Sequence, residues 1–374
     1  MTNFWIKVWK FKYRFFLRPV FFRFKSEAVH VFLVRVGAIL GRSKISRGII
    51  AAMLVRRDER LTQIYHGVIF KSPVGLSAGF DYRADLMDIA PSLGFGFTTI
   101  GTITNNSCEG NPAPRLGRLV KSKSLWVNKG FKNDGITAII AKCRGRTFAL
   151  PIGISIGKTN SPKPMTQKEA VDDIVAAFRT TEKITQFSYY ELNISCPNLY
   201  GSVTFYPPKN LRELLESVCA IKLRKPLFIK MPIEKSDDEV RAMLDVIVSF
   251  PVAGVIFGNL PKNKDNPALV PSEANRYSGG AFSGKPAEKR SNELIALAYK
   301  EYGKRLTIIG CGGIFNAENA YKKIRLGASL LQLITGLVFE GPQLPAEINS
   351  GLARFLERDK FTHLRDAIGV DVRA

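Results

Sequence analysis

The chain of 374 residues predicts an α/β fold, a parallel (β/α)8 (TIM) barrel preceded by an N-terminal helical membrane-associated subdomain. Three observations predict it. From Val68 onward, short apolar runs ending in glycine or polar residues recur eight times, centred near Leu76, Thr99, Gly153, Leu192, Ile229, Ile256, Ile308 and Leu331. Stretches of helix-forming composition separate them. Ahead of them lies a basic, aromatic segment of another kind. With 45% hydrophobic residues the chain can bury a full core, and the expected division is residues 1–65 and residues 66–374.

Taking the elements in order, Phe4 to Arg18 reads as an amphipathic helix. Phe4, Trp5, Val8, Trp9, Phe11, Phe15 and Phe16 share one side, and Lys7, Lys10, Arg14 and Arg18 recur on the other, with Lys12 breaking the apolar face. Rings entering a headgroup boundary and cations meeting anionic lipid suit residues 1–25 to an anionic membrane surface. The bland alternative is a helix whose aromatic face packs on the protein's own core. No apolar run reaches the roughly 18–20 residues of a spanning helix, and a charge-broken apolar stretch without an A-x-A-like exit argues against a secretory signal. Glu27 to Leu40 follows as a second helix and Ile49 to Leu54 as a third, with a break at Gly41.

Charge supports the same reading. The formal charge is +23, and residues 1–60 supply +11 of it, from fourteen Lys and Arg against three acids. Such a balance suits nucleic acid or lipid, but no nucleic-acid motif accompanies it, so no nucleic-acid partner is expected. Cys108, Cys143, Cys196, Cys219 and Cys311 are scattered and odd in number, which predicts reduced thiols. His30, His66 and His363 have no ligand spacing, so no metal centre is expected, and His30 and His66 read as structural.

Within the barrel, helices are expected at about Lys168–Lys183, Leu211–Leu223, Asp237–Phe250, Ser291–Tyr302 and Ala317–Arg325. The long intervals Asn105–Leu150 and Gly258–Arg305 predict inserted hairpins or a lid. Barrel chemistry sits just beyond the strands. Those positions hold Ser77 to Asp81 with Ala78 and Gly79, then Gly101-Thr102, Ser155, Asn193 to Asn198, Lys230, Gly258-Asn259, Gly310 to Gly313 and Thr335-Gly336.

Among them, Asn193, Cys196 and Asn198 stand out, because two amides can grip a flat polar ring while a thiolate accepts a proton. A buried strand end satisfied by backbone would more simply carry one polar residue. Gly312, Gly313, Thr335 and Gly336 allow backbone N–H groups to approach a phosphate, although glycine also serves tight turns. Lys230 suits the negative charge that a flavin develops around N1, the alternative being a solvated strand end.

These motifs in this order resemble the dihydroorotate dehydrogenase family, from about Glu27 to Gln343. The matching segments are Pro73 to Asp81, Gly110 to Arg115, Ile156 to Lys158, Asn193 to Asn198, Ile229-Lys230, Gly279-Gly280, Ser283 to Pro286, Ile309 to Ile314 and Gly327 to Ser329. Glu27 to His30 and the leading helices look like the quinone-reducing, membrane-associated class 2 branch.

The resemblance implies FMN as cofactor and dihydroorotate oxidation to orotate, with a quinone as acceptor. It implies a peripheral membrane protein on the cytoplasmic side of the inner membrane. It places Cys196 as the base for the C5 proton, and Asn128, Asn193, Asn198 and Asn259 around the pyrimidine. Around FMN it places Ala78, Gly79, Thr102, Ser155, Asn193, Lys230, Gly258, Gly284, Gly312, Gly313, Thr335 and Gly336. The cysteine is typical of class 1, where class 2 carries serine.

Other departures concern the substrate. Tyr82 stands where the family has lysine, Ser155 replaces asparagine, and Leu260 replaces a hydroxyl residue. The family's N-R-x-G-F shortens to Asn128-Lys129-Gly130-Phe131, followed by Lys132. Loss of the cation at position 82 removes a charge-assisted bond of roughly 1.5–3 kcal/mol unless Lys129, Lys132 or Arg83 replaces it. Two rival readings follow: the same fold acting on a different dihydropyrimidine-like ring, or a non-catalytic membrane-binding barrel.

Overall fold

A computed structural model describes residues 2–163 and 165–372. Met1 of the basic segment, and Pro164, Arg373 and Ala374 of the barrel portion, lie outside the described residues. Eight parallel strands close on themselves: β1 (Val74–Leu76), β2 (Phe97–Ile103), β3 (Ile152–Ile156), β4 (Tyr189–Asn193), β5 (Leu227–Lys230), β6 (Gly254–Phe257), β7 (Thr307–Cys311) and β8 (Leu330–Leu333). Every predicted run contains one. Closure comes from β8 against β1, with Leu331 opposite Val74 and Leu333 opposite Leu76. Their β-branched and aromatic runs are buried on both faces, as a parallel sheet between helices requires.

The five expected helices form, at Gln167–Glu182, Pro208–Cys219, Asp237–Ile247, Glu288–Tyr302 and Ala317–Arg325. Thr166 with Glu169 and Ser236 with Glu239 close reciprocal capping boxes at the first and third, fixing where each begins. Two further helices, Ile136–Cys143 and Leu344–Arg358, complete the outer ring, while β1 and β2 are joined through a single 3-10 turn at Ala90–Leu93. Below the strands, the hairpin Gln63–Tyr65 and Val68–Phe70 plugs the barrel floor. There Phe70 packs with Phe97, Tyr189 and Phe228 from the strand starts.

The two long intervals turn out to share one structure. Leu116–Leu119 and Ser124–Val127 form an antiparallel hairpin, and Ala281–Phe282 from the interval after β6 adds a third strand, with Phe282 opposite Trp126. Trp126 stacks on Tyr277 at 4.5 Å, tying the insertions together.

At the N-terminus, Thr2–Lys12 continues through a π-turn at Tyr13–Leu17 into Arg18–Phe21, followed by Ser26–Arg42 and Lys44–Leu54. The predicted break at Gly41 moves to Ser43, whose hydroxyl caps the next helix by accepting from Ser46 N–H at 3.3 Å; the third helix therefore starts before Ile49.

The single aromatic face also divides in two. Ile6 and Tyr13 are buried against the barrel, Ile6 packing with Leu54, Ala346 and the flank of Trp9. Tyr13 Oη donates to the Val338 carbonyl at 2.7 Å, Arg18 to that of Phe339 at 2.9 Å, and Lys10 pairs with Glu347 at 2.5 Å. Phe4, Phe11, Phe15 and Phe16 remain 55–62% exposed on the other side. The i→i+5 turn shifts the phase of the residues after Lys12, so one straight 3.6-residue wheel no longer describes them.

Candidate active site

The site grows from the C-terminal strand ends. Beyond β1, Gly79 adopts φ +107° and its N–H donates to the Gly101 carbonyl at 2.6 Å, stitching the first two rim loops together. Asp81 is buried and accepts from the N–H groups of Arg83, Asp85 and Leu86, so it shapes the turn and does not face a ligand. Beyond β2 to β4, the Thr102 and Ser155 hydroxyls lie 2.9 Å apart and Asn193 Nδ2 donates to Thr102 Oγ1 at 2.8 Å. Asn193 Oδ1 accepts from Ser195, whose Oγ accepts from Asn259 Nδ2 at 2.5 Å. One hydrogen-bonded chain thus locks four rim loops.

A second set hangs on Asn111. Its Nδ2 donates to Asn128 Oδ1 at 2.8 Å and to the Asn198 carbonyl at 2.9 Å, and its Oδ1 accepts from Asn160 at 3.0 Å. Asn198 Nδ2 in turn donates to the Val127 carbonyl of the inserted sheet at 2.9 Å. Across the barrel mouth, buried Lys230 donates to Ser77 Oγ at 3.3 Å, and Ser77 donates to Gln332 Oε1 at 3.2 Å. Gln332 and Thr99 both donate to Glu191 Oε1, the latter at 2.6 Å. Burial raises the Glu191 carboxyl's pKa, and the Lys230 charge opposes that shift.

The glycines after β7 meet the turn that opens helix Thr335–Glu340. Gly284, Gly312 and Gly313 have φ of +80°, +93° and +73°, a backbone shape that favours glycine. A Cβ at Gly313 would come within 2.3 Å of Glu288 Cβ, and one at Gly284 within 2.5 Å of the Lys123 carbonyl. The Ser283 and Thr335 hydroxyls lie 2.7 Å apart beside them. This backbone-lined concavity, with two hydroxyls, suits a phosphate-bearing cofactor.

The strand-end side chains and glycines surround one cavity of about 590 Å³, with Asn111, Ser155, Glu191 and Gln332 standing behind its lining. Of the sequence-predicted site residues, Ala78, Gly79, Thr102, Asn193, Cys196, Asn198, Lys230, Gly258, Asn259, Gly284, Gly312, Gly313, Thr335 and Gly336 all face it. Asn128 and Ser155 do not: Asn128 supports Asn111, and Ser155 supports Thr102 from behind. Away from the strand ends the cavity runs under the N-terminal helices, past Trp9, Tyr13, Leu17, Phe22, His30 and Leu40. His30, expected to be structural, is therefore a wall residue; it bonds the Phe80 carbonyl at 2.9 Å, and burial pulls its pKa to about 3, so it is neutral. Cys196 opens onto this interior space, and burial pushes its thiol up to about 11.

Sequence reasoning missed Asn111 as a support, Gln332, and Glu191 as a barrel-core acid. For Glu191 the signal was a charged residue inside an apolar run.

A closed parallel barrel with a thiol, paired amides, a lysine and a glycine-lined concavity gathered at one mouth has the layout of a barrel enzyme's active site. The family model for dihydroorotate dehydrogenase matches residues 60–356. The chain is 34% identical to the dihydroorotate dehydrogenase (quinone) of Streptomyces avermitilis over 370 residues, covering 96% of this chain and 99% of that one. It is also 34% identical to that of Nocardia farcinica over 361 residues, covering 96% of each. Solved DHODH structures from Eimeria tenella superpose with TM-score 0.76 in complex with ferulenol and 0.77 ligand-free, at 25% and 27% identity. They cover 89% and 88% of this chain, and 96% and 99% of those chains. The chain belongs to the dihydroorotate dehydrogenase family, in its class 2 branch.

Proposed function

We propose that the protein oxidises dihydroorotate to orotate, with FMN as cofactor and a quinone as electron acceptor. The observation that carries this reading is that the thiol, the amides, Lys230 and the glycine cradle line the same cavity as the apolar N-terminal helices. FMN supplies the hydride acceptor when bound, and Gly284, Gly312, Gly313 and Thr335 would hold its phosphate, with Lys230 beside its ring. Asn193, Asn198 and Asn259 orient the pyrimidine, and Cys196, as thiolate, removes the proton from C5. The aromatic mouth past Tyr13 and Phe22 suits an apolar quinone entering from lipid.

No helix among the described residues is long and apolar enough to cross a membrane. Fourteen large apolar side chains between Phe4 and Ile49 are exposed, against three elsewhere among the described residues. That concentration, with the basic charge of the same segment, supports peripheral attachment to an anionic membrane; the cytoplasmic face of the inner membrane is the side the family resemblance implies. Anaerobic titration of the FMN-loaded protein with dihydroorotate tests the reaction. Flavin absorbance should bleach, and a soluble quinone should restore it. Lack of bleaching, with bleaching by another dihydropyrimidine, would move the protein to the rival substrate.

A further inference from the structure

The cavity wall has an uneven charge distribution. Among its described lining residues, Arg118, Lys129, Lys132 and Lys230 are cationic and none is a carboxylate. Two of the four are committed by position. Arg118 sits at the helical mouth, its guanidinium 4.7 Å from the Phe22 ring and bonded to the Phe24 carbonyl, and Lys230 lies at the strand ends on Ser77. Arg83, the other candidate for a missing charge, is exposed and engaged with Asp134 at 2.7 Å.

Lys129 is different. Its ammonium lies 4.6 Å from the ring of Tyr82, the residue standing where the family resemblance expects a lysine, and Tyr82 is stacked in turn on His30. Its backbone carbonyl accepts from Asn111 N–H at 3.2 Å, and Asn111 holds Asn198. The ammonium is thus set over position 82 on a segment tied to the ring-holding amides. It is half-buried in the cavity wall, over the face of the Tyr82 ring and within the field of Glu27.

We propose that Lys129, carried on the Tyr82 ring, is the specificity-determining cation that binds the substrate's carboxylate, replacing the charge lost at position 82. This inference rests on the dihydroorotate reading above. The groups facing Lys129 are Glu27, which is itself paired with Arg115 at 3.5 Å, together with Lys132, Arg115, His30 and Tyr82. Burial, which outweighs the favourable pull of Glu27, lowers its pKa to about 8. A bound carboxylate favours the charged form, so binding should demand protonated Lys129.

The test is the dissociation constant of orotate, read from the perturbed flavin spectrum of the FMN-loaded enzyme between pH 6.5 and 9.5 (values of roughly this span bracket the lysine's titration). Wild-type affinity should be flat at low pH and fall about tenfold per unit above the titration of Lys129. Lys129→Met should weaken orotate about tenfold to a hundredfold at neutral pH and flatten the profile. Lys129→Arg, which stays charged, should keep binding while removing the alkaline fall.

Wild-type flavin content and a melting temperature no lower than wild type in all variants would exclude a folding defect. The inference is overturned if Lys129→Met binds orotate within about twofold of wild type, or if Lys132→Met alone shows the loss. It is also overturned if Lys129→Arg keeps the alkaline fall. A wild-type flavin that dihydroorotate fails to bleach would instead overturn the reading beneath it.

Discussion

Cys196 receives an N–H from Asn198 and the fields of Lys230, Lys262 and Lys158, yet burial outweighs them and holds its thiol near 11. On the proposed reading the thiolate is the proton acceptor, and its population at neutral pH limits the step. The rate constant for anaerobic bleaching by dihydroorotate should therefore rise about tenfold per pH unit from pH 7 upward, without a plateau near 9 (a thiol of ordinary pKa, about 8.5, would level off there). Removing the base with Cys196→Ala should slow bleaching by roughly 10²–10⁴-fold while orotate still binds, as stopped-flow and spectral titration would show. A wild-type rate in that variant would dismiss the thiol as base.

At this scale most of the cavity was legible, because rim positions follow directly from where apolar runs end. Asn128 and Ser155 were assigned to the lining and instead stand behind it, since a sequence gives the loop but not which side chain turns inward. Lys129 was only one of three candidates until its position over Tyr82 separated it from the ion-paired Arg83.

The N-terminal helix serves two neighbours at once. One side anchors to the barrel through Ile6, Tyr13 and the Lys10–Glu347 pair; the other presents Phe11, Phe15 and Phe16 outward, with Phe11 and Phe15 rings 4.8 Å apart. Replacing the three outward rings together by Ser should abolish sedimentation with anionic vesicles and leave anaerobic bleaching unchanged, because none of the three lines the cavity. Tyr13→Phe should keep vesicle binding, because the outward rings remain, but loses the bond to Val338 and should lower stability to urea by about 1 kcal/mol. Retained vesicle binding in the triple variant would refute the surface assignment.

Strands and helices were readable because their signals are local: short apolar runs ending in glycine or polar residues, and stretches of helix-forming composition between them. The π-turn was not, since no residue pattern specifies an i→i+5 bond. Nor was the three-stranded sheet, whose Phe282–Trp126 pairing joins segments far apart in the chain. Helix Leu344–Arg358 lay past the point where the family motifs ran out.

For the whole molecule, the formal charge of +23 predicts self-repulsion that eases as pH rises, but one buried group should contribute a separate dependence. Lys323 is fully buried beside exposed Lys322, and its ammonium donates to Ser291 Oγ and Asn292 Oδ1 at 2.8 Å each, both neutral acceptors. Burial lowers its pKa from 10.5 to about 7. Between those values the unfolded chain binds a proton that the folded chain does not, so stability rises with pH across the window and is lost as pH falls toward 7.

The slope from one such group is at most about 1.4 kcal/mol per pH unit. Lys129, lowered to about 8, adds in the same direction over the upper part of the window. Cys143 and Cys196, raised to about 11 by burial, oppose both from about pH 8.5 upward, and Tyr13 and other buried phenols do so above about pH 10, where unfolded tyrosines ionise. Urea-unfolding midpoints from neutral pH to about 8.5 (where unfolded thiols begin to ionise) should therefore increase, and Lys323→Met should flatten most of that rise. Added salt separates the two origins: repulsion among surface charges fades within a Debye length of about 8 Å at physiological ionic strength, whereas the buried ammonium is screened far less. A rise that disappears in salt, or that survives unchanged in Lys323→Met, would assign the pH dependence to net charge and remove Lys323 from it.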